Sequence, residues 1–139
     1  MCVTLRKFIK EDYFNLASLI DDEWAVNHRN IALSMQQTDG NVEQCFLAID
    51  EQKNVGYIYG FVLPNKTLLP EFLYVIPAYR KQGIGRALLA ELENKTCCTA
   101  SMIFYNKSLT GFYSSLGYQV GENLEVAMKL LTATKGESK

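Results

Sequence analysis

Clustered metal ligands and an excess of charge are both absent from this sequence, and each absence excludes a class of function. The chain has one histidine, His28, and its four cysteines, at positions 2, 45, 97 and 98, show no Cys-x-x-Cys spacing. Zinc sites and disulfide frameworks depend on such clusters, so we expect no metal and four reduced thiols. The formal net charge is −1, which argues against non-specific binding to nucleic acid.

Long apolar runs are absent as well. No stretch reaches the roughly 20 apolar residues that cross a membrane, and residues 1–12 lack the apolar segment of a signal peptide. We therefore expect a cytoplasmic protein without membrane contact. The chain has 139 residues, of which 48% are hydrophobic, enough to bury the core of one domain. We expect this domain to span residues 1–131 and residues 132–139 to form a disordered tail.

The most informative stretch contains a strand, a glycine loop and a helix start. Residues 69–76 are a dense apolar and aromatic run that ends at Pro77, which is typical of a buried strand. Gly83 and Gly85 follow two cations, and strong helix formers come next, with apolar residues at 84, 88, 89 and 92. Such a construction directs free backbone N–H groups and a positive helix dipole at one point, which predicts a phosphate site.

Two common phosphate-binding motifs do not fit this stretch. A dinucleotide fingerprint needs a third glycine where the sequence has Leu88. The nearest P-loop match, residues 60–67, lacks the second glycine and contains Pro64. Both alternatives are therefore rejected.

The pattern that fits is Arg-x-x-Gly-x-Gly after a Val-x-Pro strand end. Its residues are Val75, Pro77, Arg80, Gly83 and Gly85. This pattern resembles the acetyl-CoA signature of the GNAT superfamily of N-acetyltransferases.

Residues 106–118 carry a second, independent match. Asn106 is followed seven residues later by Tyr113 within Phe-Tyr, and then by Leu-Gly-Tyr ending at Tyr118. In the GNAT superfamily these elements mark a helix that lies along the CoA arm. The interval from Gly85 to Asn106 is about a turn or two of helix shorter than the resemblance implies, so either the central helix should end early, near residues 93–95, or the next strand should begin abruptly.

The order of predicted elements is β-α-α-β-β-β-α-β-α-β-β, and the GNAT fold has the same order. The resemblance thus implies an α/β (mixed α+β) fold with a central mixed sheet of 6–7 strands and about four helices on both faces. The predicted strands cover residues 3–9, 44–50, 55–63, 69–76, 99–105, the vicinity of Tyr118, and 125–131. Helices are predicted over residues 12–22, 28–37 and 108–116 and from the glycine loop onward. Gly117 is predicted to cap the C-terminus of the helix over 108–116.

The resemblance also implies how acetyl-CoA, the co-substrate, would bind. Backbone groups of Leu73, Tyr74 and Val75 would hold the pantetheine arm, and one of their N–H groups would polarise the thioester carbonyl. The glycine loop would hold the pyrophosphate. The full set of expected cofactor contacts adds Arg80, Lys81, Gln82, Gly83, Ile84, Gly85, Arg86, Asn106 and Tyr113.

Two residues are candidates for proton transfer. Glu71 lies on an otherwise apolar strand, where several GNAT members carry a catalytic carboxylate, and partial burial would raise its pKa toward that of a base at neutral pH. Tyr113 matches the family's general acid, which protonates the CoA sulfur. The structural alternative for Glu71 is a carboxylate that pairs with a cation. For Tyr113 it is an aromatic residue that serves only in packing.

The acceptor is predicted less sharply. Glu23 and Trp24 fall where GNAT enzymes build the acceptor pocket, although a helix end with a core Trp explains them equally well. We expect transfer of acetyl to the amine of a small molecule or peptide in a ternary complex, by a monomer or homodimer. The alternatives are an acyl-CoA-binding module without turnover and an acyl-enzyme route through Cys97 or Cys98.

Overall fold

The computed structural model describes residues 2–12, 44–127 and 129. Five strands and two α-helices lie in these ranges: β1 (Val3–Lys7), β2 (Gln44–Asp50), β3 (Lys53–Val62), β4 (Thr67–Val75), α1 (Ile84–Lys95), β5 (Ala100–Ser101) and α2 (Thr110–Ser115). Short 3-10 turns cover Lys10–Asp12, Pro77–Tyr79 and Lys107–Leu109. The described residues fall into two compact units, divided between Phe104 and Tyr105.

The strands form one mixed sheet in the order β1-β2-β3-β4-β5. Neighbours from β1 to β4 are antiparallel, and β5 lies parallel to β4. This mixed α+β arrangement confirms the predicted fold class. The helices predicted over 12–22 and 28–37 lie outside the described residues, apart from Asp12, which ends a 3-10 turn.

The C-terminal part of the predicted sheet differs from the structure. The strand predicted over 99–105 is limited to Ala100–Ser101, and residues 118–127 contain no strand. Residues 119–127 are all exposed, so apolar side chains such as Leu124 gain no burial to offset the entropy of ordering a strand. The described part of the sheet has five strands. Residues 128, 130 and 131 of the strand predicted over 125–131, and the tail predicted over 132–139, lie outside the described residues.

Helix α1 ends at Lys95, as the short interval before Asn106 predicted. Thr96 follows it in extended conformation, and its buried Oγ1 donates a hydrogen bond to the Leu92 carbonyl at 3.0 Å. No helix in the described ranges has both the length and the apolar character needed to cross a membrane.

One face of the sheet packs against α1. Leu88, Leu89 and Leu92 of this helix are at most 1% exposed, and the helix contacts β2, β3 and β4. Gly56 and Gly60 of β3 allow this close approach: a Cβ at Gly56 would lie 3.4 Å from Leu88 Cδ1, and one at Gly60 would lie 3.1 Å from Leu92 Cδ2. Because the two glycines are four positions apart on one strand, they lie on the same face of the sheet, the face that packs against the helix.

Aromatic rings cover the opposite face of the sheet. We refer to Tyr57, Tyr59, Phe61, Phe72 and Tyr74 as the aromatic cluster. Phe72 stacks on both Tyr57 and Tyr59, with ring centroids 5.8 and 6.2 Å apart, and Phe61 meets Tyr59 edge-on at 6.0 Å. Buried side chains of β2 complete this core. The two faces thus differ in kind, with leucines on glycines on one side and stacked rings on the other.

The C-terminal unit contains α2 and its cap. Gly117 has a left-handed φ of 93°. Its N–H donates to the Ser114 carbonyl, and the N–H of Tyr118 donates to the Tyr113 carbonyl, both at 3.1 Å. These two bonds form a Schellman motif. The predicted helix-capping role of Gly117 is confirmed.

Candidate active site

Most of one edge of β4 lacks a neighbouring strand in the described part of the chain. β5 pairs with β4 only at Thr67 and Leu68, and the N–H of Met102 adds one bond to the Leu68 carbonyl. Beyond this point β5 ends, while β4 continues to Val75 along β3. An edge of extended backbone is therefore open to hydrogen bonding by another chain or ligand.

The register shows which backbone groups face this open edge. The N–H of Ile76 donates to the Val55 carbonyl at 2.9 Å, so the hydrogen-bonded pairs of this ladder alternate from there and include Tyr74, which faces Tyr57. The backbone groups of Leu73 and Val75 therefore point away from β3. Of the three residues predicted to hold pantetheine, Leu73 and Val75 present their backbone at the edge, whereas Tyr74 turns its backbone toward β3.

Arg80 lies against the end of this edge. Its Nε donates to the Val75 carbonyl at 2.7 Å, and its guanidinium lies 5.4 Å from the ring centroid of Tyr74. Arg has five N–H donors, and this bond uses the single donor on Nε. The contact positions a permanent positive charge beside the strand end.

The loop after Arg80 has a left-handed backbone at two positions. Lys81 has φ 63° and Gly83 has φ 85°. A Cβ at Gly83 would meet no atom within 4 Å, so the protein requires glycine here for the backbone conformation and not for space. Gln82 Nε2 donates to the Ala78 carbonyl at 3.4 Å. The space next to Gly83 is therefore free of described protein atoms and accessible to a ligand.

Helix α1 begins directly after Gly83 with uncapped backbone N–H groups. The first helical bond joins the Ala87 N–H to the Gly83 carbonyl at 3.0 Å, so the N–H groups of Ile84 and Gly85 have no partner inside the helix. Gly83 has no side chain to cap them, and no acidic residue occupies the first turn, which contains Gly85 and Arg86. The helix dipole adds positive potential at this end, so the site favours an anion.

Three residues that the sequence analysis missed connect this loop to the sheet. The hydroxyl of Tyr79, in the turn before the loop, donates to Asp50 Oδ2 at 2.8 Å. Lys53 Nζ lies 5.9 Å from the Tyr79 ring centroid. Because Asp50 and Lys53 flank the β2–β3 turn, the contact couples a distant hairpin to the loop. No local sequence pattern reveals such a pair.

Glu71 lies in a β-bulge. Tyr59 faces Phe72, and the next residue on β3, Gly60, faces Pro70, so Glu71 is an extra residue on β4. In such a bulge two residues oppose one on the partner strand, and the local bend re-aims their side chains. The bulge thus brings Glu71 to Tyr59.

The carboxyl group of Glu71 has a raised pKa. The residue as a whole is exposed, yet burial of the carboxyl group by the surrounding protein disfavours its charged form and raises its pKa above the ordinary value. The predicted perturbation is therefore present. Whether this carboxylate acts as a base stays a prediction.

Tyr113 is buried in the C-terminal unit. It is 5% exposed, and its ring centroid lies 4.7 Å from that of Tyr105 and 5.9 Å from that of Tyr118. Burial, with a smaller contribution from Tyr105, raises the pKa of its hydroxyl. Asn106 caps the turn that leads into α2, because its Oδ1 accepts the Ser108 N–H at 3.0 Å. This bond leaves the Asn106 amide NH₂ for another partner.

The remaining predictions of site residues divide into two groups. Glu23 and Trp24 lie outside the described residues. Cys97 is exposed and Cys98 partly buried, just after α1, and both are free thiols. Among the described residues no group of three or more His, Cys, Asp or Glu side chains could hold a metal ion.

The comparisons with known proteins give a family and a fold. Residues 41–120, more than half of the chain, match the family model of the acetyltransferase (GNAT) domain. No curated protein matches the sequence.

Several solved structures resemble this chain. Aminoglycoside N-acetyltransferase AAC(6')-Iy in complex with CoA is 18% identical, with a TM-score of 0.73 over 92% of this chain and 95% of that one. Ribosomal-protein-alanine N-acetyltransferase from Brucella melitensis biovar Abortus is 16% identical, with a TM-score of 0.72 over 94% and 100%. An integron cassette protein from the mobile metagenome of V. cholerae is 17% identical, with a TM-score of 0.77 over 100% and 99%. At such identities the likeness establishes the fold.

The bulge that carries Glu71 should depend on Gly60. A Cβ at Gly60 would lie 2.9 Å from the Leu69 carbonyl oxygen and 3.0 Å from Pro70 Cα, and these backbone atoms could move only by distorting the bulge. We expect Gly60→Ala to lower the free energy of unfolding by about 1–3 kcal/mol, measured by urea denaturation. Gly111→Ala is the control: a Cβ there meets nothing within 4 Å, so this helical substitution should stabilise by up to about 1 kcal/mol. An unchanged Gly60→Ala midpoint would contradict this account of the bulge.

Proposed function

We propose that this chain, which belongs to the GNAT acetyltransferase family, transfers an acetyl group from acetyl-CoA to a primary amine by direct attack in a ternary complex. The observation that carries the proposal is the open edge of β4, which leads through the glycine loop to the uncapped N-terminus of α1. Such an edge offers hydrogen bonds to amides, and the helix end offers them to phosphates. Amides and then phosphates follow one another along acetyl-CoA in that order.

The cofactor contacts follow from this arrangement. The outward N–H and C=O of Leu73 and the N–H of Val75 would bind the pantetheine amides. The N–H groups of residues 82–86 would bind the pyrophosphate, with positive charge from Arg80, Lys81 and Arg86. The CoA complex of the similar aminoglycoside acetyltransferase supports this use of the fold.

The chemistry assigns one role to each candidate. An amine is mostly protonated at neutral pH, so Glu71 would accept a proton from the ammonium group before or during attack, directly or through water. The freed nitrogen lone pair attacks the thioester carbon, and a backbone N–H of β4 would stabilise the oxyanion. Collapse of the tetrahedral intermediate breaks the C–S bond, and Tyr113 would protonate the departing thiolate. A tyrosine hydroxyl is protonated at neutral pH, as an acid requires, and burial raises the pKa of Tyr113 further above neutrality.

The acceptor class is the part of the proposal that an activity screen decides. Similar structures are named for an aminoglycoside and for the alanine of a ribosomal protein, which are chemically distant amines. Purified protein would be incubated with acetyl-CoA and a panel of small amines, amino acids, aminoglycosides and peptides, with detection of free CoA thiol. Amine-dependent CoA release is expected. If the protein bound acetyl-CoA saturably but no amine caused release of CoA, the chain would be an acyl-CoA-binding module and not an enzyme.

Gly83 provides the test of cofactor binding. Acetyl-CoA should raise the melting temperature of the wild type by mass action, and Gly83→Ala should strongly reduce this shift because a Cβ displaces the loop backbone from its left-handed conformation. Gly117→Ala is the matched control, since Gly117 also has positive φ, 93°, and open space around it. Both variants should lose about 1 kcal/mol of stability, but only Gly83→Ala should lose the ligand-induced shift. Equal shifts in both variants would remove the loop from the cofactor site.

Glu71→Gln tests the general base. Because the carboxylate form prevails only above the raised pKa of Glu71, wild-type kcat/KM for the amine should rise with pH and then level off. Glu71→Gln should lower kcat most near neutral pH and recover partly at high pH, where free amine needs no base. Glu91→Gln, the same change on α1, should behave as wild type. A raised KM with unchanged kcat would show instead that Glu71 anchors a cationic acceptor.

Tyr113→Phe tests the general acid. The substitution keeps the ring and its contacts with Tyr105 and Tyr118 but removes the proton donor. We expect kcat to fall by about 10²-fold while acetyl-CoA affinity survives. Tyr105→Phe, next to it, should retain most of kcat. A wild-type kcat in Tyr113→Phe would mean that water or another group protonates the thiolate.

A further inference from the structure

The hydroxyl group of Tyr59 is buried without a hydrogen-bond partner. Tyr59 is 1% exposed, and its Oη is the buried side-chain oxygen or nitrogen that finds no partner in the described part of the chain. Buried hydroxyl groups are normally bonded, and one left unbonded costs stability. The ring contacts of Tyr59 with Phe61 and Phe72 do not use the hydroxyl, so packing alone would favour Phe at this position.

The bulge on β4 brings a carboxylate toward this hydroxyl. Glu71 and Phe72 both oppose Tyr59 across the β3–β4 ladder, and Tyr59 faces Cys45 on its other side. Burial raises the pKa of Tyr59, and the negative charge of Glu71 and then the Cys45 thiol add to the rise. Glu71 and Cys45 are thus the ionisable groups that act on Tyr59 among the described residues. An unpartnered donor and a partly desolvated acceptor thus belong to residues that oppose each other across the two strands at the bulge.

We propose that Tyr59 is a positioning residue for Glu71: its hydroxyl donates a hydrogen bond to the Glu71 carboxylate and, once Glu71 is protonated, accepts one from the resulting carboxylic acid. The inference rests on the proposed function, in which Glu71 takes the proton of the acceptor ammonium. In that step an N–H bond breaks and an O–H bond forms on Glu71, while Tyr59 keeps its own proton and only its hydroxyl rotates. A rotamer change of the exposed Glu71 side chain makes the contact.

A tyrosine hydroxyl suits both states of the base, since it is a donor and an acceptor at once. The hydroxyl holds the carboxylate in one orientation. Unlike a cation, it does not neutralise the negative charge of the carboxylate. The Glu71 carboxylate lies on an exposed strand position, and without such a partner its side chain would sample many rotamers. The contact therefore acts on the chemical step and not on cofactor binding.

A double-mutant cycle with Glu71→Gln tests the inference. Tyr59→Phe should keep or raise the melting temperature, because it removes an unpartnered hydroxyl, and should leave the KM for acetyl-CoA unchanged. It should lower kcat about tenfold in the wild-type background and have no further effect in Glu71→Gln. Tyr57→Phe is the matched control on the same strand and face, opposite Tyr74, and its effect should add to that of Glu71→Gln. Additive effects of Tyr59→Phe, or a wild-type kcat, would overturn the inference.

A measurement without turnover separates this inference from the proposed function. Carboxyl ¹³C NMR titration of Glu71 should give a higher pKa in Tyr59→Phe than in the wild type, since a donor to the charged form is lost. An identical pKa in both proteins would overturn the inference. If no amine supports CoA release by the wild type, the proposed function fails, and the titration still decides whether Tyr59 and Glu71 are in contact.

Discussion

One constraint underlies the candidate site: β4 is paired along its length with β3 but with β5 over only two residues. Backbone N–H and C=O groups must be satisfied when they are buried. Because most of one edge of β4 has no partner strand among the described residues, its backbone groups need either solvent or a ligand there. The alternation of the β3–β4 ladder turns the groups of Leu73 and Val75 to that edge. Arg80 already occupies one of them, the Val75 carbonyl.

The two faces of the sheet serve this edge in different ways. On one face, Gly56 and Gly60 let α1 approach β3 closely, which fixes the helix N-terminus at the end of β4. On the other face, the stacked rings of Tyr57, Tyr59 and Phe72 lie beside the bulge. Gly60 belongs to both, since it admits Leu92 on the helix side and faces Pro70 at the bulge. The position of the anion site and the exposure of Glu71 thus depend on the same strand.

The sequence predicted the parts of this site that are local. The strand end, the glycine loop and the start of α1 follow from periodicity, helix propensity and glycine placement within a short stretch, and the cap at Gly117 follows from one helix end. The bulge at Glu71 could not be predicted, because it depends on how β3 and β4 register. The same holds for the Tyr79–Asp50 hydrogen bond, which joins residues far apart in the chain, and for the unpartnered Tyr59 hydroxyl, whose burial depends on tertiary packing. The length of β5 was overestimated because apolar content alone does not supply a partner strand.

Residue-resolved amide hydrogen exchange is the most direct test of the open edge as the acetyl-CoA site. Without ligand, the amides of Phe72 and Tyr74 should already be protected by β3, while those of Leu73 and Val75 should exchange faster. Saturating acetyl-CoA should protect Leu73 and Val75 and the first amides of α1, including Gly85, and change Tyr74 little. Protection confined to residues away from β4 and α1, or none at Leu73 and Val75, would contradict the account.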